Sequence, residues 1–153
     1  MIRSAPPRES SYAMTHRHQR GSRSDGPVDR NTRILVIEHD RRISTALTFM
    51  LSARGYDEVR AVRSAARAIA IAETFCPGIV FLDIERPDSE SLDLAAQLYR
   101  RVSRSALRLI ALTNSIGHEL REEARLAGFE RYLVKPLSQV ELDKVLRLPR
   151  EVA

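Results

Sequence analysis

The chain has 153 residues, 43% of them hydrophobic, enough for one domain with a real core and an extension beside it. The net charge of +5 is unevenly placed, because residues 1–33 hold seven arginines against Glu9, Asp25 and Asp29. No apolar run approaches the roughly 18 residues that cross a bilayer, Met1 to Arg8 show no signal-like apolar stretch, and Cys76 has no second cysteine to pair with, so a cytoplasmic setting without membrane or internal disulfide is expected.

Residues 1–32 lack periodicity and are rich in Ser, Pro, Gly and Arg, which reads as a solvated extension; Met14 is a second candidate start. Such a tail also attracts nucleic acid, and a regulator acting through it is the third reading of this chain, although nucleic acid is not the expected partner. A folded domain is expected over residues 33–149, with 150–153 as a tail.

Arg33 to Ile37 forms a continuous apolar run ending in Glu38-His39-Asp40 and reads as a strand buried on both faces. Asp40 suits the cap of a helix whose apolar positions are Ile43, Ala46, Leu47, Met50 and Leu51, closed at Gly55. Asp57 to Val62 predicts a short, charged edge strand. Ser64 caps an Ala-rich helix with Ala65, Ala68, Ile69 and Ala72 inward, which Pro77 stops near Phe75. Ile79 to Leu82 then runs straight into Asp83.

After the loop Ile84 to Ser91, a helix from about Ser89 to Val102 carries Leu92, Ala95, Ala96 and Tyr99, broadened by Leu94 and Leu98. Leu107 to Leu112 predicts a fourth strand ending in Thr113-Asn114. Ser115 is the expected cap of a polar helix closing at Gly128. Tyr132-Leu133-Val134 predicts a fifth strand ending in Lys135-Pro136. Ser138 with Glu141 reads as a capping box, and Leu137 with Leu142 as its staple, before a last helix bearing Val140, Leu142, Val145 and Leu146.

Strands and helices thus alternate five times, which predicts an α/β fold with a doubly wound parallel sheet and helices on both faces. In such a sheet all strand ends share one edge, where ligands bind. Glu38, His39, Asp40, Asp83, Thr113 and Lys135 therefore converge. Only Lys135 and Lys144 among 25 basic residues are lysines, so an ammonium at that edge is a chemical choice. Each residue also has a plainer reading: Asp83 as a cap, Lys135 as a surface charge, Thr113 as a turn, Tyr132 as edge packing.

Ile34 to Asp40, Ile79 to Asp83 with Pro87 four residues on, Ala111 to Asn114, and Tyr132 to Pro136 together resemble the receiver domain of two-component response regulators, in order and at the family's spacings. The resemblance covers about residues 33–148 and implies the flavodoxin-like strand order 2-1-3-4-5 with about five helices. It implies that Asp83 accepts a phosphoryl group from a sensor histidine kinase or phosphotransfer protein, through nucleophilic attack by a carboxylate. By the same resemblance, Lys135 is expected to pair with the phosphoryl group or the resting carboxylate. Thr113 is expected to bond a phosphoryl oxygen, Tyr132 to shift with it, and the Lys135–Pro136 bond to be cis. Mg2+ is the implied cofactor, held by Glu38, Asp83 and the backbone carbonyl of Glu85. The resemblance thus implies a phosphoacceptor domain that is not an enzyme in the ordinary sense.

The chain departs from that pattern where the family has two adjacent acids, here Glu38 and His39. Imidazole is a poor ligand for a hard, oxygen-seeking ion, so Asp40 or His39 is left as the candidate for the second position. Glu85, Asp88 and Glu90 add negative charge to the loop after Asp83. These departures keep open an alternative, a degenerate receiver that acts by protein contact without phosphate. No output domain is expected after Pro149, so output is expected through docking to a downstream protein or through a homodimer on the last two helices, with Leu120, Leu126, Val140 and Leu148 as candidates.

Overall fold

The apolar runs become strands and the periodic stretches between them become helices. The computed structural model describes residues 28–84, 89–102, 107–114 and 117–147. The elements in order are β1 (Ile34–Ile37), α1 (Arg41–Ala53), β2 (Val59–Val62), α2 (Ala65–Phe75), β3 (Ile79–Asp83), α3 (Ser89–Arg101), β4 (Arg108–Thr113), α4 (His118–Ala127), β5 (Phe129–Val134) and α5 (Gln139–Arg147). All strand pairs are parallel, in the order β2-β1-β3-β4-β5 that the resemblance implied.

Alternation along the strands builds two cores. Leu35, Ile37, Val80, Leu82, Leu109 and Ala111 pack on the side of α2, α3 and α4. Ile34, Val36, Ile79, Phe81, Ile110, Leu112 and Leu133 pack on the side of α1 and α5. Residues such as Leu35, Val36, Val80 and Phe81 are fully buried, as a strand covered on both faces requires.

The helix ends follow local chemistry. Asp40 caps α1 by accepting from the Arg42 N–H, and Ser64 caps α2 by accepting from the Arg67 N–H. Gly128 closes α4 in the left-handed region at φ 98°, where a Cβ would be strained. Ser138 Oγ accepts from the Glu141 N–H at 3.3 Å. Glu141 turns its carboxylate to Lys144 instead, so only half of the expected box is seen.

Several faces differ from the periodicity reading. Ala46, Ala96 and Val140 are exposed, and Ser44 is buried in α1. A small residue satisfies an apolar pattern without being needed in the core. Helix α4 starts at His118 behind Gly117, which makes no side-chain cap bond, and Ser115 lies outside the described residues. Likewise α3 already includes Ser89, so its cap falls outside them. Strand β5 starts three residues earlier than its apolar run. Its added residue Glu130 is neutralised by Arg108 at 2.8 Å in a nearly buried ion pair. Ahead of β1, the Val28 N–H donates to Leu146 O at 2.8 Å, and Tyr56 donates its hydroxyl to Val28 O at 2.9 Å, tying this stretch to α5 and to the connection between α1 and β2.

Candidate functional site

Glu38 follows Val36 by two residues, Asp83 follows Phe81 by two, and Lys135 follows Leu133 by two. Those three apolar side chains belong to one core, on the α1–α5 face. The strand period of two therefore delivers all three charged groups to the same face at the carboxyl edge. The Lys135 N–H also donates to Thr113 O at 2.7 Å, fixing the end of β5 against β4.

The result is a four-sided charge cluster. Lys135 Nζ lies 3.0 Å from Asp83 Oδ1 and 2.7 Å from Glu38 Oε2. Both contacts join opposite charges at hydrogen-bonding distance. The other oxygen of each carboxylate faces His39: its Nδ1 is 2.8 Å from Asp83 Oδ2 and 3.3 Å from Glu38 Oε1. Glu38 Oε1 also accepts the Asp40 N–H at 3.0 Å, and the His39 carbonyl accepts from Arg63 Nε at 3.2 Å. These bonds hold the turn after β1 in place.

Burial makes the charges strong. The side chains of Glu38, Lys135 and Asp83 are 0%, 5% and 10% exposed, whereas His39 is 59% exposed at the rim. Burial pulls the Lys135 pKa down, but its contacts with Glu38 and Asp83 outweigh that and hold it above the ordinary lysine value of 10.5. The ammonium is therefore charged at neutral pH.

The remaining predicted residues divide. Thr113 is buried at the end of β4, one residue beyond Leu112, which pairs with Asp83. Tyr132 is partly exposed on β5, with the Arg121 guanidinium over its ring at 5.1 Å. The Lys135–Pro136 bond is cis. Asp40 is engaged in capping α1 and pairing with Arg42, and it is absent from the carboxylate–imidazole cluster. Glu85 and Asp88 lie outside the described residues. Sequence reasoning missed the direct contact of His39 with Asp83; its signal was a histidine immediately after the acid that ends the first strand.

The description of the response regulator receiver domain matches this chain over residues 34–147, more than half its length. The chain belongs to that family. The transcriptional regulatory protein PdtaR of Mycobacterium tuberculosis is 31% identical over 125 residues, covering 82% of this chain and 58% of PdtaR. Protein PilG of Pseudomonas aeruginosa is 26% identical over 110 residues, covering 72% of this chain and 81% of PilG. Among solved structures, Vibrio cholerae chemotaxis protein CheY4 shares the fold with a TM-score of 0.69 at 20% identity, over 76% of this chain and 97% of that one. A CheY-like receiver from Methanospirillum hungatei gives 0.66 at 25% identity, over 76% and 91%. The chain thus spans a little over half the length of PdtaR, 58%.

Receiver domains are phosphoacceptor signalling domains that work with histidine kinases or phosphotransfer proteins, and they generally bind Mg2+. In this receiver the candidate ligand atoms of Glu38, His39 and Asp83 all lie within 4.8 Å of one another. That donor set fits Mg2+ poorly. Mg2+ asks for oxygen at every position, and one of three protein donors here is an imidazole nitrogen lodged between the two carboxylates. No helix among the described residues is long and apolar enough to cross a membrane.

Proposed function

We propose that Asp83 accepts a phosphoryl group from the phosphohistidine of a sensor histidine kinase or phosphotransfer protein. A carboxylate oxygen of Asp83 forms the new bond to phosphorus. The P–N bond to the donor imidazole breaks, and its electron pair stays on the nitrogen. The observation that carries this reading is the Lys135 ammonium, 3.0 Å from Asp83 Oδ1 inside a nearly closed site. A buried donor that is charged at neutral pH offsets the negative charge gathered as phosphate meets carboxylate. Thr113, at the end of the neighbouring strand, is the hydroxyl proposed to bond a phosphoryl oxygen. Tyr132, partly exposed on β5, is the aromatic proposed to respond.

Output is proposed through the α4–β5–α5 face, by docking or self-association. Leu126, Tyr132, Val134 and Val140 leave apolar surface there. Leu120, expected on this face, is buried instead, and Leu148 lies outside the described residues.

One observation favours a second reading, a receiver that signals by contact alone: His39 Nδ1 sits 2.8 Å from Asp83 Oδ2 and engages the oxygen not held by Lys135. Incubation with a small phosphodonor, with and without divalent cation, separates the two. Uptake of one phosphate by the full chain and none by Asp83→Asn supports phosphorylation. Absence of uptake under every ionic condition supports the contact-only reading.

A further inference from the structure

Two carboxylates and an imidazole meet at the pocket rim. Glu38 and Asp83 bring their side chains into a site where they are 0% and 10% exposed, with the Lys135 ammonium beside both. Lys135 also takes one oxygen from each acid, Oε2 of Glu38 and Oδ1 of Asp83. The two remaining oxygens, Oε1 and Oδ2, both turn toward His39 Nδ1. Three donors from three residues thus face one another at the mouth of the site, and the imidazole is the one exposed to solvent.

We propose that this pocket binds a late first-row divalent cation, of the Co2+, Ni2+ or Zn2+ class, through Glu38 Oε1, His39 Nδ1 and Asp83 Oδ2, in preference to Mg2+. The separations support it. Two ligands about 2.1 Å from a single ion stand roughly 3.0 to 3.4 Å apart at octahedral or tetrahedral angles. The observed distances from His39 Nδ1 are 2.8 and 3.3 Å, close to that range, and the ligand atoms of all three residues lie within 4.8 Å of one another. Selectivity follows from the nitrogen. Imidazole binds these borderline ions well and a hard ion poorly, and affinity for mixed nitrogen and oxygen donors rises along the series to Ni2+ and Cu2+. Among the described residues no third carboxylate joins the cluster, and Asp40 instead caps α1 and pairs with Arg42. The Asp40 N–H that orients Glu38 Oε1 gives that ligand outer support.

This inference rests on the phosphoacceptor reading only for the ion's purpose, since binding itself requires no phosphate. The test is calorimetric titration of the full chain with CoCl2 and with MgCl2, in the absence of phosphodonor, alongside the visible absorption of the Co2+ form. The chain also contains His16, His18, His118 and Cys76, so variants decide the location. Wild type is expected to bind Co2+ at least about tenfold more tightly than Mg2+. His39→Ala should lose at least about tenfold in Co2+ affinity and change the absorption bands, while His39→Asp should gain Mg2+ affinity and narrow the preference. Equal or tighter Mg2+ binding by wild type, or Co2+ affinity and spectrum unchanged in His39→Ala, would overturn the proposal. A chain that binds Co2+ through His39 yet takes no phosphate would leave the metal site standing and remove only the phosphoacceptor reading.

Discussion

Lys135 and Asp83 stand 52 residues apart in the chain and 3.0 Å apart in the folded protein, Nζ to Oδ1. Three parallel strands produce that meeting. Strand β3 ends on the acid, β5 ends just before the lysine, and β4 lies between them in register with both. Glu38, from the other neighbour of β3, closes the site on the same ammonium at 2.7 Å.

Removing the ammonium leaves two buried acids without their common partner. Lys135→Met keeps the length of the side chain and loses its charge. Breaking a buried ion pair from one side costs about 3–5 kcal/mol. Denaturant midpoints should show a loss of that order. A loss below about 1 kcal/mol would mean that the cluster is far better hydrated than its burial indicates.

The same pair sets an alkaline limit. Burial lowers the Lys135 pKa, the contacts with Glu38 and Asp83 raise it, and the net shift is upward from 10.5. A raised pKa in the folded state means that the contribution is complete below the unfolded value and is lost as pH rises through the folded one. Tyr56 titrates in the same region, its pKa raised by burial from 10.0 despite nearby arginines. Both wild type and Lys135→Met should therefore weaken in alkali. The stability gap between them should hold at about pH 9 and shrink well above pH 10.5. A gap that stays constant into strong alkali would contradict the assigned contacts.

The close of α4 against α3 is tight. Tyr99 donates its hydroxyl to the Gly128 carbonyl, and a Cβ on Gly128 would stand 3.0 Å from Tyr99 Cζ and closer still to Cε2. The backbone there is left-handed, at φ 98°. Gly128→Ala is expected to cost about 1–3 kcal/mol from strain and overpacking together. Because part of that cost is the clash, Gly128→Ala should cost less in a Tyr99→Ala background, by at least about 0.5 kcal/mol in a double-mutant cycle. Strict additivity would show that only the backbone matters.

A smaller effect is expected at the start of α2. Ser64 Oγ accepts from the Arg67 N–H at 3.3 Å, and Ser64→Ala should destabilise the protein by about 1 kcal/mol in chemical denaturation. An unchanged midpoint would mean that water caps this helix equally well.

What the sequence disclosed depended on burial. Strands covered on both faces appear as unbroken apolar runs, so β1, β3 and β4 were legible, and with them the residues that end them. The early part of β5 was not, because Glu130 and Arg131 interrupt the pattern; Glu130 is tolerated by virtue of Arg108, which is 22 residues away. Helix faces were legible in outline, but the two alanines Ala46 and Ala96 turn outward, as does Val140 on α5. The convergence of Asp83, Lys135 and Glu38 followed from parallel topology alone. How the oxygens are shared did not. Which carboxylate oxygen meets Lys135 and which meets His39 is a matter of rotamers across three strands and a turn, and no spacing in the sequence encodes it.

The central claim is that Asp83 is the group that takes phosphate. Peptide mapping by mass spectrometry, after exposure of the full chain to a small phosphodonor, tests it most directly. A single phosphoryl group is expected on the peptide containing Asp83, absent in Asp83→Asn. A chain that stays unmodified, or one that carries its phosphate on another residue with Asp83 intact, would contradict it.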